Sequence, residues 1–170
     1  MNEGIVLVGF MGSGKSSVAQ ALSQQTSLPV VDLDRLIETT TGQTIPTIFS
    51  IQGERGFRHI ETTCLRQVIN MPAIISTGGG IVLSEENRHI LKASFKTVVW
   101  LQADFDTYYK RITEDKQNSR PIANQSSKND LAKIEQERRV LYEAVADVVI
   151  DVSKLTVNQI ASQMLASIVK

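Results

Sequence analysis

Gly9-Phe10-Met11-Gly12-Ser13-Gly14-Lys15-Ser16 has the residue types and spacing that cradle phosphate, G-x-x-x-x-G-K-[ST]. It follows an apolar run, Ile5–Val8, and precedes a segment that reads as a helix, the strand–loop–helix setting in which the pattern carries meaning. Glycines let the backbone curl until successive N–H groups face phosphate oxygens, and a helix opening near Lys15 adds its positive end. Lys15 can then reach the β- and γ-phosphates while the Ser16 hydroxyl sits on Mg2+. With Gly12, Ser13, Gly14 and Ser17, these residues form an expected site for a nucleoside triphosphate.

A second group of residues could act on an acceptor. Asp32-Leu33-Asp34 follows the second apolar run. Ligands of open α/β sheets collect at the carboxyl ends of strands, so both acids are expected beside the phosphate loop. In an extended segment Leu33 would face away and leave the two acids together. Asp32 suits the Mg2+ shell, directly or through water; Asp34 can orient an acceptor hydroxyl or take its proton. Asp34 could instead cap the helix running through Leu36 and Ile37, which would account for one acid and not two. No aspartate follows the third strand, so the metal role falls to Asp32. Thr77-Gly78-Gly79-Gly80 does follow it, and three consecutive glycines, costly in entropy, point to a surface where backbone approaches a ligand closely. Arg58, with Glu61 three residues on to brace it, and Arg138 complete the set. Taken singly, each arginine reads as an ordinary solvated residue.

The elements that must position these groups alternate along the chain. Strands are expected at Ile5–Val8, Val30–Val31, Ala73–Ser76, Thr97–Leu101 and Val148–Ile150, nearly continuous in apolar character and so covered on both faces. Helical spacing appears at Val18 and Leu22, at Ile60, Cys64, Leu65 and Val68, and from Thr156 to Val169, with N-caps at Ser84 and Asp104. The β-α-β-α order predicts a parallel, doubly wound sheet of five strands in a single domain spanning 1–170. The polar stretch from Glu114 to Asp130 is long for a plain connection and holds Arg120, so it is expected to be a mobile lid over the phosphates.

Composition narrows the class. With 42% hydrophobic and 21% charged residues and a net charge of zero, the chain reads as globular with no nucleic-acid footprint. No apolar run approaches a membrane span, the first strand leaves no room for a signal peptide, and one cysteine builds no disulfide framework. A cytoplasmic monomer is expected. Cys64 and Trp100 read as core, and His59 and His89 as ordinary helix residues.

Together these motifs resemble the shikimate kinase family. The resemblance runs from the phosphate loop to the final helix: G-x-x-G-S-G-K-S at Gly9–Ser16, D-L-D at Asp32–Asp34, the run Ile48–Glu61 with Phe57-Arg58, G-G-G at Gly78–Gly80, R-P at Arg120-Pro121 and R-x-x-L-Y at Arg138–Tyr142. It implies a nucleoside-monophosphate-kinase-like α/β/α sandwich with strand order 2-3-1-4-5. It implies phosphorylation of the 3-hydroxyl of shikimate by ATP and Mg2+, on the route to chorismate and the aromatic amino acids. Arg58 and Arg138 would clamp the shikimate carboxylate, Asp34 would hold ring hydroxyls, and Gly79 and Gly80 would face the substrate, with Gly80 donating from the backbone. Ser16 would bind Mg2+ with Asp32 supporting through water, while Lys15 and Arg120 neutralise the transferring phosphoryl group. Residues 34–61 would form the shikimate-binding region, and Arg111 would stack on the base. The chain departs from the family where the lid reads Arg-Pro-Ile-Ala instead of Arg-Pro-Leu-Leu, and at Leu155, where a polar residue often touches adenine; Lys154 is the neighbouring substitute.

Two other readings share some of these features. A gluconate kinase or nucleoside monophosphate kinase would use the same fold, although the latter needs arginines for a second phosphate. A non-catalytic nucleotide-binding module would be expected to lose one of Lys15, Ser16, Asp32, Asp34 and Arg120, all of which are present.

Overall fold

The computed structural model describes residues 4–114 and 126–168. In chain order the elements are β1 (Gly4–Val8), α1 (Lys15–Thr26), β2 (Val30–Asp32), α2 (Leu33–Thr41), α3 (Ile45–Val68), β3 (Ala73–Ser76), a 3-10 turn (Ile81–Leu83), α4 (Glu85–Ala93), β4 (Thr97–Gln102), α5 (Phe105–Glu114), α6 (Lys128–Val145), β5 (Val148–Asp151) and α7 (Val157–Ile168). The strands pair in parallel in the order β2-β3-β1-β4-β5. Each expected strand is present, and its ends move by no more than one residue.

The sheet is the core. Ile5, Val6, Leu7 and Val8 of β1 and Ile74 and Ile75 of β3 have no solvent exposure, which is only possible with helices on both faces. On one side α1 packs against α7; on the other α6 meets α4, α5 and the 3-10 turn. Cys64 and Trp100 lie in this core as expected, and burial pushes the Cys64 thiol above its usual range. His59 and His89 are exposed on helices. Among the described residues no helix is long and apolar enough to cross a membrane.

Helix starts are set by short polar side chains. Asp32, Thr44, Ser84 and Ser127 each accept a backbone N–H from the first turn of α2, α3, α4 and α6. α3 breaks at Gly53 (φ 66°, ψ −177°), a backbone state closed to other residues, so its front part and the part carrying Arg58 are separate rods. Two expectations change here. Leu33 and Asp34 already belong to α2 instead of an extended segment, because Asp32 caps that helix immediately after the strand. Most of the expected lid, Arg120 included, lies outside the described residues, whereas 128–130 form the first turn of α6 under a reciprocal Ser127–Asp130 cap.

Candidate active site

The carboxyl ends of β1, β2 and β3 open into one cleft of about 750 Å³. It lies at the neighbouring strands β1 and β3, whose outgoing connections run in opposite directions across the sheet, to β2 and to β4, the position at which open parallel sheets hold ligands. The phosphate loop forms one wall. Gly14 sits in the left-handed region (φ 88°, ψ 18°) as the residue before α1, and no side chain caps this helix. α1 thus differs from α2, α3, α4 and α6: its first N–H groups and positive end face the cleft with no built-in acceptor. Lys15 is buried and folds back along the loop, its Nζ donating to the carbonyls of Gly9 (2.6 Å) and Phe10 (3.0 Å) and to Ser13 Oγ (3.2 Å). Met11, Gly12, Gly14, Ser16 and Ser17 line the same wall, and Ser13 is buried behind it.

Ser16 Oγ donates to Asp32 Oδ2 (3.3 Å), while Asp32 Oδ1 accepts the Arg35 N–H (3.1 Å). Asp32 therefore does two tasks, helix cap and partner to Ser16, and the capping role weighed for Asp34 belongs to it. Asp34, on the first turn of α2, faces the cleft beside Gly78. A hydroxyl and a carboxylate side by side are hard oxygen donors of the kind Mg2+ takes, with water and phosphate oxygens completing its shell.

The opposite wall is the acceptor side. Arg58 Nη1 donates to both oxygens of Glu61 (2.9 and 2.8 Å), and its Nη2 reaches Glu54 Oε1 at 3.4 Å. Its guanidinium lies 5.0 Å from the Phe57 ring, which stacks on Phe49 at 4.5 Å. Arg58 Nε is buried and has no hydrogen-bond partner among the described residues. Glu61 is itself buried; desolvation raises its pKa, against the pull of Arg58, and the nearby Asp34 charge adds to the rise. Arg138, on α6, is buried with its guanidinium 6.0 Å from the Phe10 ring and next to the Tyr142 hydroxyl.

The glycine triplet lines the cleft, and its smallness also has a use inside the protein. None of the three has positive φ. A Cβ on Gly78 would stand 2.8 Å from Asp34 Oδ1, one on Gly79 3.2 Å from Met11 N, and one on Gly80 2.3 Å from Arg58 Nη2. Their smallness makes room for the protein's own charged groups, drawing Asp34, Arg58 and the phosphate loop around one turn. Thr77 anchors that turn by donating from Oγ1 to the Leu7 carbonyl (2.8 Å), and the Tyr142 hydroxyl donates to the Gly79 carbonyl.

Lys15, Ser16, Ser17, Asp32, Asp34, Arg58, Gly79, Gly80, Arg111 and Arg138 thus share one cleft, as the sequence predicts. Arg111 is drawn to backbone, donating to the carbonyls of Val152 (3.0 Å) and Gly12 (3.4 Å), which bridges the phosphate loop to the segment after β5. Leu155 is partly buried against the core, and Lys154 is exposed. Arg35, Glu38, Phe49 and Phe57 also line the cleft. They fall within the expected 34–61 region, but sequence reasoning does not single them out as site residues, since isolated residues on amphipathic helices give no local signal.

A sequence model of the shikimate kinase family matches residues 11–169. The chain belongs to the shikimate kinase family. It is 43% identical over 163 residues to the shikimate kinase of Streptococcus suis, covering 95% of this chain and 98% of that one. The shikimate kinase of Enterococcus faecalis is 39% identical, with 96% of each chain covered. The solved structure of shikimate kinase from Acinetobacter baumannii in complex with shikimate superposes with a TM-score of 0.91 at 33% identity, over 98% of this chain and 93% of that one. The sheet order 2-3-1-4-5 expected of the family is the order found.

Proposed function

We propose that this chain transfers the γ-phosphoryl group of ATP to the 3-hydroxyl of shikimate, with Mg2+. ATP-dependent phosphorylation of shikimate is the activity of the family to which it belongs. The observation that carries the finer reading is the meeting, in one cleft, of an uncapped phosphate-loop helix with Asp34 and two arginines from separate helices. A hydroxylated ring bearing a carboxylate needs that combination.

In this reading the phosphate loop N–H groups and Lys15 hold the triphosphate, and Lys15 exchanges its loop carbonyls for phosphate oxygens. Ser16 and Asp32 would hold Mg2+, which when bound neutralises charge on the phosphates. Arg58 and Arg138 grip the shikimate carboxylate through planar forks, and their place on one cleft supports this. Asp34 orients the attacking hydroxyl and accepts its proton, while Gly79 and Gly80 offer backbone N–H groups to the ring. Arg120 is assigned to the transferring phosphoryl group and Arg111 to the adenine side. Phosphoryl transfer asks mainly for such positioning and electrostatics. The reading carries with it a cytoplasmic monomer that acts on two small molecules.

ADP release from ATP and Mg2+ in a coupled assay tests it, comparing shikimate with gluconate, AMP, CMP and no acceptor. Release with shikimate alone is expected. Release with another acceptor would discard the substrate assignment, and silence with all of them in an ATP-binding protein would leave a non-catalytic module.

A further inference from the structure

Asn87 has no solvent exposure, although it stands in the first turn of α4, where side chains usually reach back to the cap. Ser84 caps its backbone N–H (3.2 Å), but its carboxamide turns inward. Nδ2 donates to Glu61 Oε2 (3.2 Å) and to the Ile81 carbonyl (3.1 Å). Oδ1 lies 2.7 Å from Thr62 Oγ1, which also lies 2.9 Å from the Arg58 carbonyl and donates to one of the two at a time. Two acceptors on one side and a hydroxyl on the other fix which way the amide points. Burying a carboxamide is costly unless its groups are paired, so an apolar side chain would serve packing alone more cheaply.

The partners are what give this residue meaning. Glu61 is the carboxylate that holds Arg58 by two bonds, and Ile81 directly follows Gly80. We propose that Asn87 is a positioning residue for the acceptor: one buried carboxamide ties the carboxylate that aims Arg58 to the turn that carries Gly79 and Gly80. It sets the spacing between the arginine fork and the backbone donors without touching shikimate. The inference rests on the assignment of Arg58 and Gly80 to the acceptor. The charged or titratable groups around Glu61 are Arg58 and Cys64 on α3 and Asp34 on α2, with Arg138 of α6 lining the same cleft. On α4 itself, Arg88 is held by the Val82 carbonyl and Glu86 by Arg66.

Asn87→Leu and Asn87→Asp, each checked for folding by thermal melting, test this through steady-state kinetics across the pH range in which the enzyme is stable. In Asn87→Leu the KM for shikimate should rise about tenfold while kcat and the KM for ATP stay near the parent values. Asn87→Asp keeps the shape but sets a second carboxylate against Glu61. With one proton shared, it can still donate; once that proton leaves, the two charges repel. Its KM for shikimate should therefore climb as pH rises, a limb absent from the parent and from Asn87→Leu. A purely structural role would lower the melting temperature and produce no such limb. Folded variants with the parental KM for shikimate at every pH, or with equal rises in both KM values, would overturn the proposal. Arg58→Ala in the same series separates the two failures: if it leaves the KM for shikimate unmoved, the clamp assignment itself is wrong.

Discussion

The two walls of the cleft hold their charged groups by opposite means. On the nucleotide side a single run, residues 9–16, supplies loop, cation and helix end, and Lys15 is held by carbonyls of its own loop. On the acceptor side Asp34, Arg58 and Arg138 come from three helices, and behind each stands at least one group far away in sequence. Glu61 and Asn87 stand behind Arg58, Phe10 and Tyr142 beside Arg138, and Gly78 gives way to Asp34. Triphosphate is a common ligand that backbone can recognise, whereas one small hydroxy acid must be recognised by side chains whose directions need bracing.

If the division is real, damage on one wall should stay on that wall. The largest effect belongs to Lys15→Ala, which should cut kcat on the order of 10³-fold or more by removing charge stabilisation at the transferring group. A variant with near-normal turnover would break the assignment. Asp34→Asn should come next, lowering kcat on the order of 10²- to 10³-fold while ATP binding, followed by calorimetry, is kept. Arg58→Ala should mainly raise the KM for shikimate, on the order of tenfold to a hundredfold. An equal rise in the KM for ATP would show that the walls are not separable.

The smallest effect is the most specific. The folded chain holds the Glu61 proton more tightly than the unfolded chain, whose value lies near 4.5, because burial raises the folded pKa. The stability that this proton contributes is fully present below the unfolded value and is lost as pH rises through the raised folded one. Glu61→Gln should lack that slope in a plot of melting temperature against pH. Binding should run the other way, since only the ionised carboxylate grips Arg58 through both oxygens: the parental KM for shikimate should fall as pH rises over the same interval. A parental KM for shikimate that rises with pH over that interval would refute the opposition between stability and aim.

What the sequence made legible follows the same division. The phosphate loop is contiguous, so its motif could be read directly, and the strands announced themselves through apolar runs that a doubly covered sheet requires. Asp34, Arg58 and Arg138 were readable as types and through resemblance. Asp32 and Asp34 meet in the cleft for a reason different from the expected one, because a cap can start a helix directly at the end of a strand. The triplet at Gly78–Gly80 was readable as a surface of close backbone approach, and it lines the cleft; the room it also leaves for Asp34 and Arg58 depends on tertiary contacts. Asn87 was invisible for the same reason, since its local sequence gives only a helix start.

The uncapped first turn of α1 also reaches the bench. A helix end that supplies no acceptor of its own will welcome any small oxyanion at sufficient concentration, so sulfate or phosphate in a storage buffer should raise the melting temperature of the free enzyme. The same salts should act as competitors of ATP and inflate its apparent KM. Kinetic constants from phosphate and from Tris buffers would then describe two different starting states of one protein.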